Sequence, residues 1–439
     1  MNVYAKIIKK KLDDSIGKLT KIISLFSKNP GKDFTRSRKL PINKLIQFLI
    51  FMGGNTQTKE LLEHFKFSIK TPTSSAFIQQ RSKLLPEALA FILNEFVSSI
   101  KKLKTFKGYR LIAVDGSKVS IPVNPEDKES YAISNKNSKG FNLLHVNAFY
   151  DILNKIYLDA TIQPYRKTNE YKALVDMVKR CDIKDKAIIL ADRGYESYNN
   201  IATLEKKNLN YVIRVKAPSS KTGILSKTDL AINEEYDEII SVLMTRRQTK
   251  EIKSKPKLYR FLSKSSTFDF LPLKSKDTYR ITFRVVCVKI NDDMYEYLIT
   301  NLDCKEFSLN DLKELYHKRW GIEISFRELK YTIGMTRFHS KKVDHIKQEI
   351  YAKLILYNFC EMITLNVVIT QKKERKYIYK INFTNAVQIC IRFYRYFNDI
   401  NPPDVKALIK RYITPIRDGR KFQRNLKSQP FVSFFYRVS

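Results

Sequence analysis

Two short apolar runs near the middle of the chain each end in an aspartate that a glycine follows within two residues. LIAV leads into Asp115 and Gly116, and AIILA leads into Asp192 and Gly194. Runs of this kind predict buried strands. A carboxylate at the end of a buried strand is held rigidly with one side open to solvent. The alternative for each aspartate, taken alone, is a residue that caps a turn.

Strand and helix patterns alternate around these runs. YRLIAVDGSKVSIP, FNLLHVNAFYD and KIYLDATIQPY predict three strands, the last two joined as a hairpin by DILN. The helix NEYKALVDMVKRC, the strand before Asp192, the helix NIATLEKKN and the strand NYVIRVKA follow. This order is expected of an α/β, ribonuclease-H-like core, a mixed sheet flanked by helices. The strands before Asp115 and Asp192 are neighbours in such a sheet, so the two anions would lie close together and favour Mg²⁺ or Mn²⁺.

The remaining segments divide the chain by pattern. Residues 1–105 are basic with helical apolar spacing, which predicts an all-helical N-terminal domain that either binds DNA or caps the next domain. Residues 106–217 and 301–370 are expected to form the two parts of the core. A β-rich insertion is predicted between them at 218–300, where polar and apolar residues alternate. Residues 371–439 are predicted to form a basic helical C-terminal region.

The charge of the chain points to a polyanionic partner. The sequence has 81 Lys plus Arg against 44 Asp plus Glu, a formal net charge of +37. Lys and Arg that face phosphates gain free energy by releasing condensed counterions, so nucleic acid is the leading partner. An anionic membrane surface is the alternative. The basic tail from residue 405 onward is expected either to lie on DNA or to be partly disordered.

Cysteine and histidine usage argues against a disulfide framework or a zinc cluster. The five cysteines form no C-x-x-C pair and the five histidines form no H-E-x-x-H motif. This predicts a reducing compartment. The start, MNVYAKIIKKKLDD, lacks the apolar core of a signal peptide. Polar residues interrupt the most apolar window, 351–370, which therefore predicts a buried helix rather than a membrane span.

The segment YHKRWGIEISFRELK, residues 316–330, predicts a helix with a polar face. The polar residues on that face are Tyr316, Arg319, Glu323 and Lys330. Helical geometry places all four within an arc of about 60°. An apolar stripe beside the arc consists of Leu315, Ile322, Phe326 and Leu329. Packing by the stripe would turn Glu323 toward the sheet edge as a third carboxylate, with the other three residues around it to hold phosphates. The alternative is a solvated face with an Arg319–Glu323 ion pair.

Taken together, these segments resemble bacterial insertion-sequence transposases of the insertion-sequence-four type. The spacing of Tyr316, Arg319, Glu323 and Lys330 fits that family's signature in full. DGS at 115–117 and DRGYESY at 192–198 resemble its first two acidic motifs. TNLD at 300–303 and QQRSK at 79–83 are also similar. The resemblance extends from about residue 75 to about residue 425.

The resemblance implies a DDE transposase. Asp115, Asp192 and Glu323 would hold two divalent ions, Mg²⁺ or Mn²⁺, one to activate water or a 3′-hydroxyl and one to stabilise the leaving oxygen. The implied reaction nicks the element's end, forms and reopens a hairpin, and joins the freed end to target DNA. It needs no ATP, and the sequence has no G-x-x-x-x-G-K-[ST] loop.

Partners and location follow from the same resemblance. The implied partner is double-stranded DNA, as terminal inverted repeats and as target, with a homodimer assembled on it. No membrane partner is expected, and the location is the bacterial cytoplasm, on the nucleoid.

The resemblance also implies DNA contacts. Tyr316, Arg319 and Lys330 would contact the strand near the scissile phosphate. A hairpin needs a displaced base stacked on an aromatic ring, which the family places in the β-rich insertion. Tyr295 and Tyr297 are the nearest candidates there, although alternating tyrosines in a strand also suit packing. The single tryptophan, Trp320, is expected to pack in the core.

Three functions fit these observations. The first is an active DDE transposase, which the intact carboxylates and the basic charge favour. The second is a catalytically silent, transposase-derived DNA-binding protein. The third is a stand-alone metal-dependent nuclease, for which the basic N-terminal segment and the residues around Glu323 give less reason.

Overall fold

The computed structural model of the chain describes residues 2–36, 39–133, 140–291, 294–399 and 402–417. A large mixed β-sheet lies at the centre of these residues, with α-helices on both of its faces. This confirms the predicted α/β class.

The elements are named in chain order. The helices are α1 (Val3–Lys21), α2 (Ile42–Phe51), α3 (Gln57–His64), α4 (Ser74–Arg81), α5 (Glu87–Ser98), α6 (Glu170–Arg180), α7 (Tyr198–Lys206), α8 (Lys250–Ser254), α9 (Leu309–Lys318), α10 (Trp320–Glu328), α11 (Val343–Thr364), α12 (Phe383–Arg395) and α13 (Val405–Arg411). The strands are β1 (Arg110–Ile121), β2 (Tyr131–Ala132), β3 (Phe141–Asp151), β4 (Ile156–Pro164), β5 (Ala187–Ala191), β6 (Asn210–Val215), β7 (Tyr236–Thr245), β8 (Tyr259–Phe261), β9 (Thr278–Asn291), β10 (Met294–Thr300), β11 (Tyr379–Ile381) and β12 (Ile413–Pro415).

Strand β1 organises the part of the sheet that carries the two aspartates. It pairs antiparallel with β3, which forms the predicted hairpin with β4, and parallel with β5, which pairs parallel with β6. The pairing of β1 with β5 ends at Val114 and Ala191, although β1 continues to Ile121. Asp115 and Asp192 are therefore the first residues beyond the last pair of two neighbouring parallel strands.

The β-rich segment extends this sheet. Strand β10 pairs antiparallel with β6, and β9, β7 and β8 follow outward in that order. Without β10, the long backbone edge of β6 would be open to pairing with another chain. The predicted strands are present, and they continue the core sheet.

The two faces of the sheet carry different helices because successive residues of a strand point in opposite directions. Leu111, Ile188 and Val212 face α9, which contributes Leu312 and Leu315 to the same cluster. Helices α6 and α7 cover the opposite face, where Ile112 and Ile189 belong to the larger cluster. Asp115 therefore lies on the same face of the sheet as the predicted signature helix.

Helix α11 joins the N-terminal helices to the sheet. Most of its residues are buried, and it contacts α1, α2, α5 and β4. The predicted helical N-terminal segment is present, and its apolar side chains share one cluster with those of the sheet. This packing favours the interpretation of these helices as a cap on the core. Among the described residues, no helix combines the length and apolarity needed to cross a membrane.

The C-terminal region is only partly described. Helix α12 packs its apolar side on α11, and β11 pairs with β12 in a small separate sheet. The predicted basic tail lies outside the described residues from 418 onward.

A buried arginine ties the N-terminal helices to α11. Arg81, in the QQRSK segment, is fully buried and donates to the carboxylate of Glu349 at 3.1 Å, to the side chain of Gln348 at 3.1 Å and to the carbonyl of His345 at 2.8 Å. His339 donates its backbone N–H to the other oxygen of Glu349 at 3.0 Å. Burial would raise the pKa of Glu349, but the hydrogen bond with His339 and the charge of Arg81 outweigh it and lower that pKa to about 2.

Arg81→Met should lower the free energy of unfolding by about 3–5 kcal/mol, because it leaves the Glu349 carboxylate buried without its charge partner. Lys28→Met is the matched control, since the Lys28–Asp344 pair is exposed and its loss should cost less than about 1 kcal/mol. Urea unfolding followed by circular dichroism measures both. Equal midpoints for the two variants would contradict the structural role assigned to Arg81.

Candidate active site

Asp115 and Asp192 sit in the notch where β5 ends and β1 continues. Asp115 Oδ1 accepts the backbone N–H of Gly116 at 2.8 Å. Asp192 Oδ1 accepts the backbone N–H of Gly194 at 2.8 Å and caps the short 3₁₀ turn that follows. A hydrogen bond from a backbone N–H to one carboxylate oxygen therefore orients each aspartate. The turn-capping interpretation of Asp192 is correct, and it is compatible with a role in a site.

The signature segment is helical as predicted, but it is not one regular helix, so the uniform rotation assumed for it was wrong. Helix α9 ends at Lys318 and α10 begins at Trp320, with Arg319 at the joint. The backbone N–H of Arg319 donates to the carbonyl of Tyr316 and that of Ile322 to the carbonyl of Arg319, which tightens this turn. A π-helical turn, Leu329–Ile333, follows α10 and contains Lys330. A uniform helical rotation therefore does not give the direction of the Lys330 side chain.

Arg319 links the first and third predicted carboxylates. Its side chain is buried, with Nη2 at 2.9 Å from Glu323 Oε1 and Nη1 at 3.8 Å from Asp115 Oδ2. The ion pair expected of a solvated face is present, but Arg319 is only 5% exposed. Arg319 thus connects Glu323, the third predicted carboxylate, to Asp115.

The pKa of Asp115 is set by its burial and by the charged groups around it. Burial is the largest effect and raises the pKa of Asp115 to about 6. The hydrogen bond from the Gly116 N–H and the positive charge of Arg319 lower this pKa, but they do not outweigh burial. The charges of Asp192 and Glu323 raise the same pKa further. Arg319 pairs with two of these carboxylates, Asp115 and Glu323, so the group carries an excess of negative charge.

This donor set suits a hard divalent cation, because all three side chains offer oxygen. In the described parts of the chain, however, no three potential ligands converge closely enough to form a preassembled metal site. Arg319 lies between Asp115 and Glu323 and pairs with both.

The other predicted DNA-binding residues differ in accessibility. Tyr316 is buried, with its ring 5.5 Å from the Arg319 guanidinium, and its hydroxyl has no hydrogen-bond partner among the described residues. Lys330 is half-buried, and burial lowers its pKa. Tyr295 is half-buried and packs against the core. Tyr297 is buried and accepts the backbone N–H of Asn233 at 3.2 Å, so it serves packing.

Trp320 does not pack in the core, contrary to expectation. Its side chain is 45% exposed, and the Arg319 guanidinium lies 5.5 Å from its ring. The change of helix geometry at Arg319 accompanies this outward position. An exposed indole thus adjoins the carboxylates.

Two residues near the aspartates were missed by the sequence analysis. His145 of β3 and Glu170 of α6 lie on the opposite face of β1 from Asp115, with His145 Nε2 3.1 Å from Glu170 Oε1. Both lie against Gly116, and Glu170 also lies against Gly194. The signal in the sequence was the glycine after each aspartate, which indicates close approach of another group.

Comparisons with known proteins agree on one family. A family model described as "Transposase DDE domain" matches residues 106–359. The chain is similar to the transposase InsG for insertion sequence element IS4 of Escherichia coli (strain K12), with 22% identity over 160 residues. It is also similar to the transposase for insertion sequence element IS1151 of Clostridium perfringens, with 22% identity over 424 residues.

These similarities differ in extent. The first alignment covers 34% of this chain and 36% of the Escherichia coli protein, about a third of its length. The second covers 88% of this chain and 87% of the Clostridium perfringens protein. Among solved structures, a piggyBac transposase synaptic complex with hairpin DNA has 13% identity and a TM-score of 0.44, covering 93% of this chain and 84% of that chain.

Asp115→Asn should stabilise the metal-free protein at neutral pH. Because the pKa of Asp115 is raised from 3.8 to about 6, its stabilising contribution is complete below pH 3.8 and is lost as pH rises through 6. In EDTA at pH 8 the variant should gain about 3 kcal/mol, and the gain should vanish below about pH 4.

Urea unfolding at both pH values measures this gain. Asp182→Asn is the control, since that side chain is 77% exposed and its replacement should change little. A destabilised Asp115→Asn variant at pH 8 would contradict the assigned burial cost.

Proposed function

The chain belongs to the transposase DDE domain family, and on that premise we propose that it is the transposase of an insertion sequence. It would bind the element's terminal inverted repeats, cut the DNA and join the freed ends to a target. The observation that supports this most is that Asp115 and Asp192 follow the last pair of β1 and β5, while Arg319 connects Asp115 with Glu323. We propose these three as the catalytic, metal-binding carboxylates.

We infer that strands β4, β3, β1, β5 and β6 form a ribonuclease-H-like core. The supporting observation is their order in the sheet, with three antiparallel strands followed by two parallel ones. The domain division at residues 105, 217, 300 and 370 remains a prediction, because the segments on both sides of each boundary share one core or one sheet.

The chemistry assigned to the centre is in-line attack on a DNA phosphodiester. Two divalent ions, Mg²⁺ or Mn²⁺, when bound by the carboxylates, supply activation of water or of a 3′-hydroxyl and stabilisation of the leaving oxygen. The chain's own groups orient the DNA. Arg319 adjoins Asp115 and Glu323 and has donors suited to a phosphate, and its Nε has no partner among the described residues. Tyr316 supports the guanidinium from one side.

A hairpin route needs an aromatic ring for a displaced base, and Trp320 fits that role better than Tyr295 or Tyr297. It is exposed beside Arg319, whereas Tyr297 is buried and Tyr295 packs against the core. Base stacking on an aromatic side chain contributes about 1–3 kcal/mol per base. Lys330 would hold the strand further along.

The rest of the proposed function concerns assembly. The net charge of +37 supports binding of double-stranded DNA. We propose a homodimer that assembles on the two ends of the element. The bacterial cytoplasm, on the nucleoid, is the location consistent with this role.

The proposal is tested with purified protein, Mg²⁺ and linear DNA that carries the gene with its flanking sequence. Hairpin ends and joined products are expected. Random degradation would instead show a stand-alone nuclease, and binding without cutting would show a catalytically silent DNA-binding protein. Either result overturns the proposal.

Asp192→Asn should reduce cutting by on the order of 10³-fold or more, since it removes a carboxylate that the centre needs in order to act as a unit. Gel-shift binding of the same DNA should stay within about threefold of wild type, because the change is isosteric. Asp182→Asn, an exposed aspartate on the loop before β5, is the control and should cut normally. Undiminished cutting by Asp192→Asn would refute the assignment of the site.

A further inference from the structure

The glycines that follow the two aspartates are both in contact with Glu170. A Cβ added at Gly116 would lie 2.9 Å from Glu170 Oε1 and closer still to the His145 ring. A Cβ added at Gly194 would lie 2.5 Å from Glu170 Oε2 and 3.0 Å from Asp192 Oδ1. Each oxygen of one carboxylate therefore occupies the space that a side chain at one glycine would need. Glu170 at both positions, together with the His145 ring at Gly116, thus favours glycine after each aspartate.

Glu170 is held in this place from several sides. It opens α6, where the Asn169 side chain accepts the backbone N–H of Lys172 and the Asn169 backbone N–H donates to Gln163 of β4 at 3.0 Å. His145 Nε2 lies 3.1 Å from Glu170 Oε1, and the His145 side chain is 7% exposed. A glutamate in the first turn also suits the helix dipole. The dipole alone would not direct both carboxylate oxygens onto the two glycines.

The Glu170 carboxylate lies in the same electrostatic environment as the carboxylates of Asp115 and Asp192. Tyr195 is buried beside them and donates its hydroxyl to Asn147 at 2.9 Å. Burial raises the pKa of Tyr195 well above its usual value, and the charges of Glu170, Asp115 and Asp192 raise it further. Glu170 keeps 33% of its side chain exposed and lines a cavity of about 560 Å³ with Lys118, His145 and Gly194.

We propose that Glu170, held by His145, is a positioning residue of the candidate active site that strengthens divalent-cation binding by Asp115 and Asp192. It acts through two effects. Its carboxylate fills the space beside the Gly116 and Gly194 backbones, whose N–H groups orient the aspartates. Its negative charge lies near Asp192, since Glu170 Oε2 and Asp192 Oδ1 border the same position at Gly194, so it adds to the attraction for a cation. This inference rests on the proposed function.

The test is direct titration of the full chain with Mn²⁺, with free Mn²⁺ measured by electron paramagnetic resonance. Glu170→Gln keeps the shape and removes the charge, and it should weaken Mn²⁺ binding about tenfold, the usual effect of losing a group that supports metal ligands. Glu170→Asp, which retains the charge, should recover part of the affinity. Asp176→Asn removes a charge from the same helix at a position that faces a different cavity, and it should bind Mn²⁺ as wild type does.

A second readout separates positioning from a purely structural role. In DNA cutting, Glu170→Gln should need about tenfold more Mn²⁺ for half-maximal rate, with the maximal rate restored at high Mn²⁺. A structural role would instead lower the melting temperature and the maximal rate at every Mn²⁺ concentration. If Glu170→Gln fails to fold, His145→Ala, which releases the carboxylate, should give a smaller shift in the same direction.

The outcomes distinguish this inference from the function on which it rests. Mn²⁺ binding that is lost in Asp192→Asn but unchanged in Glu170→Gln overturns the role of Glu170 alone. A wild-type chain that shows no saturable Mn²⁺ binding overturns the metal assignment of the site, and the role of Glu170 with it.

Discussion

The parallel pairing of β1 with β5 is the constraint on which the site depends. The pairing stops at Val114 and Ala191, so the next residue of each strand is an aspartate without a ladder partner on that side. A shift of one residue in either strand would turn an aspartate to the opposite face. The apolar runs that fix this register are fully buried. Burial of the strands therefore positions the carboxylates and also raises the pKa of Asp115.

Residues from segments distant in sequence surround Asp115 and Asp192 on the two faces of the sheet. Arg319, at the joint between α9 and α10, connects Asp115 with Glu323 on one face. Glu170 and His145 reach the glycines on the other. An excess of carboxylate over guanidinium is unfavourable without a cation, since like charges at short range oppose ionisation. The folded chain thus tolerates a local electrostatic cost beside Asp115 and Asp192, which burial of the extensive apolar core offsets.

Much of this organisation was predictable from sequence. Apolar runs that end in Asp115 and Asp192 predicted neighbouring strands, and the apolar stripe of residues 315–329 predicted which side of the signature segment packs. Both are confirmed. One regular helix through Arg319 is not found. A constant helical period cannot describe a tight turn at Arg319 followed by a wider, π-helical turn at Leu329–Ile333. The exposure of Trp320 was missed for the same reason, since its expected place in the core assumed a regular helix.

The sequence by itself determined the elements, their order and the residue types available at the strand ends, because hydrophobic periodicity is local. Only the tertiary structure decided which charges meet. Glu170 is distant in sequence from Asp115. The reason for glycine at positions 116 and 194 is visible only in the structure, where Glu170 of α6 lies against both. Likewise, the buried contact of Arg81 with Glu349 depends on how the N-terminal helices pack on α11. Such contacts are set by long-range packing, which a single sequence does not encode in any local pattern.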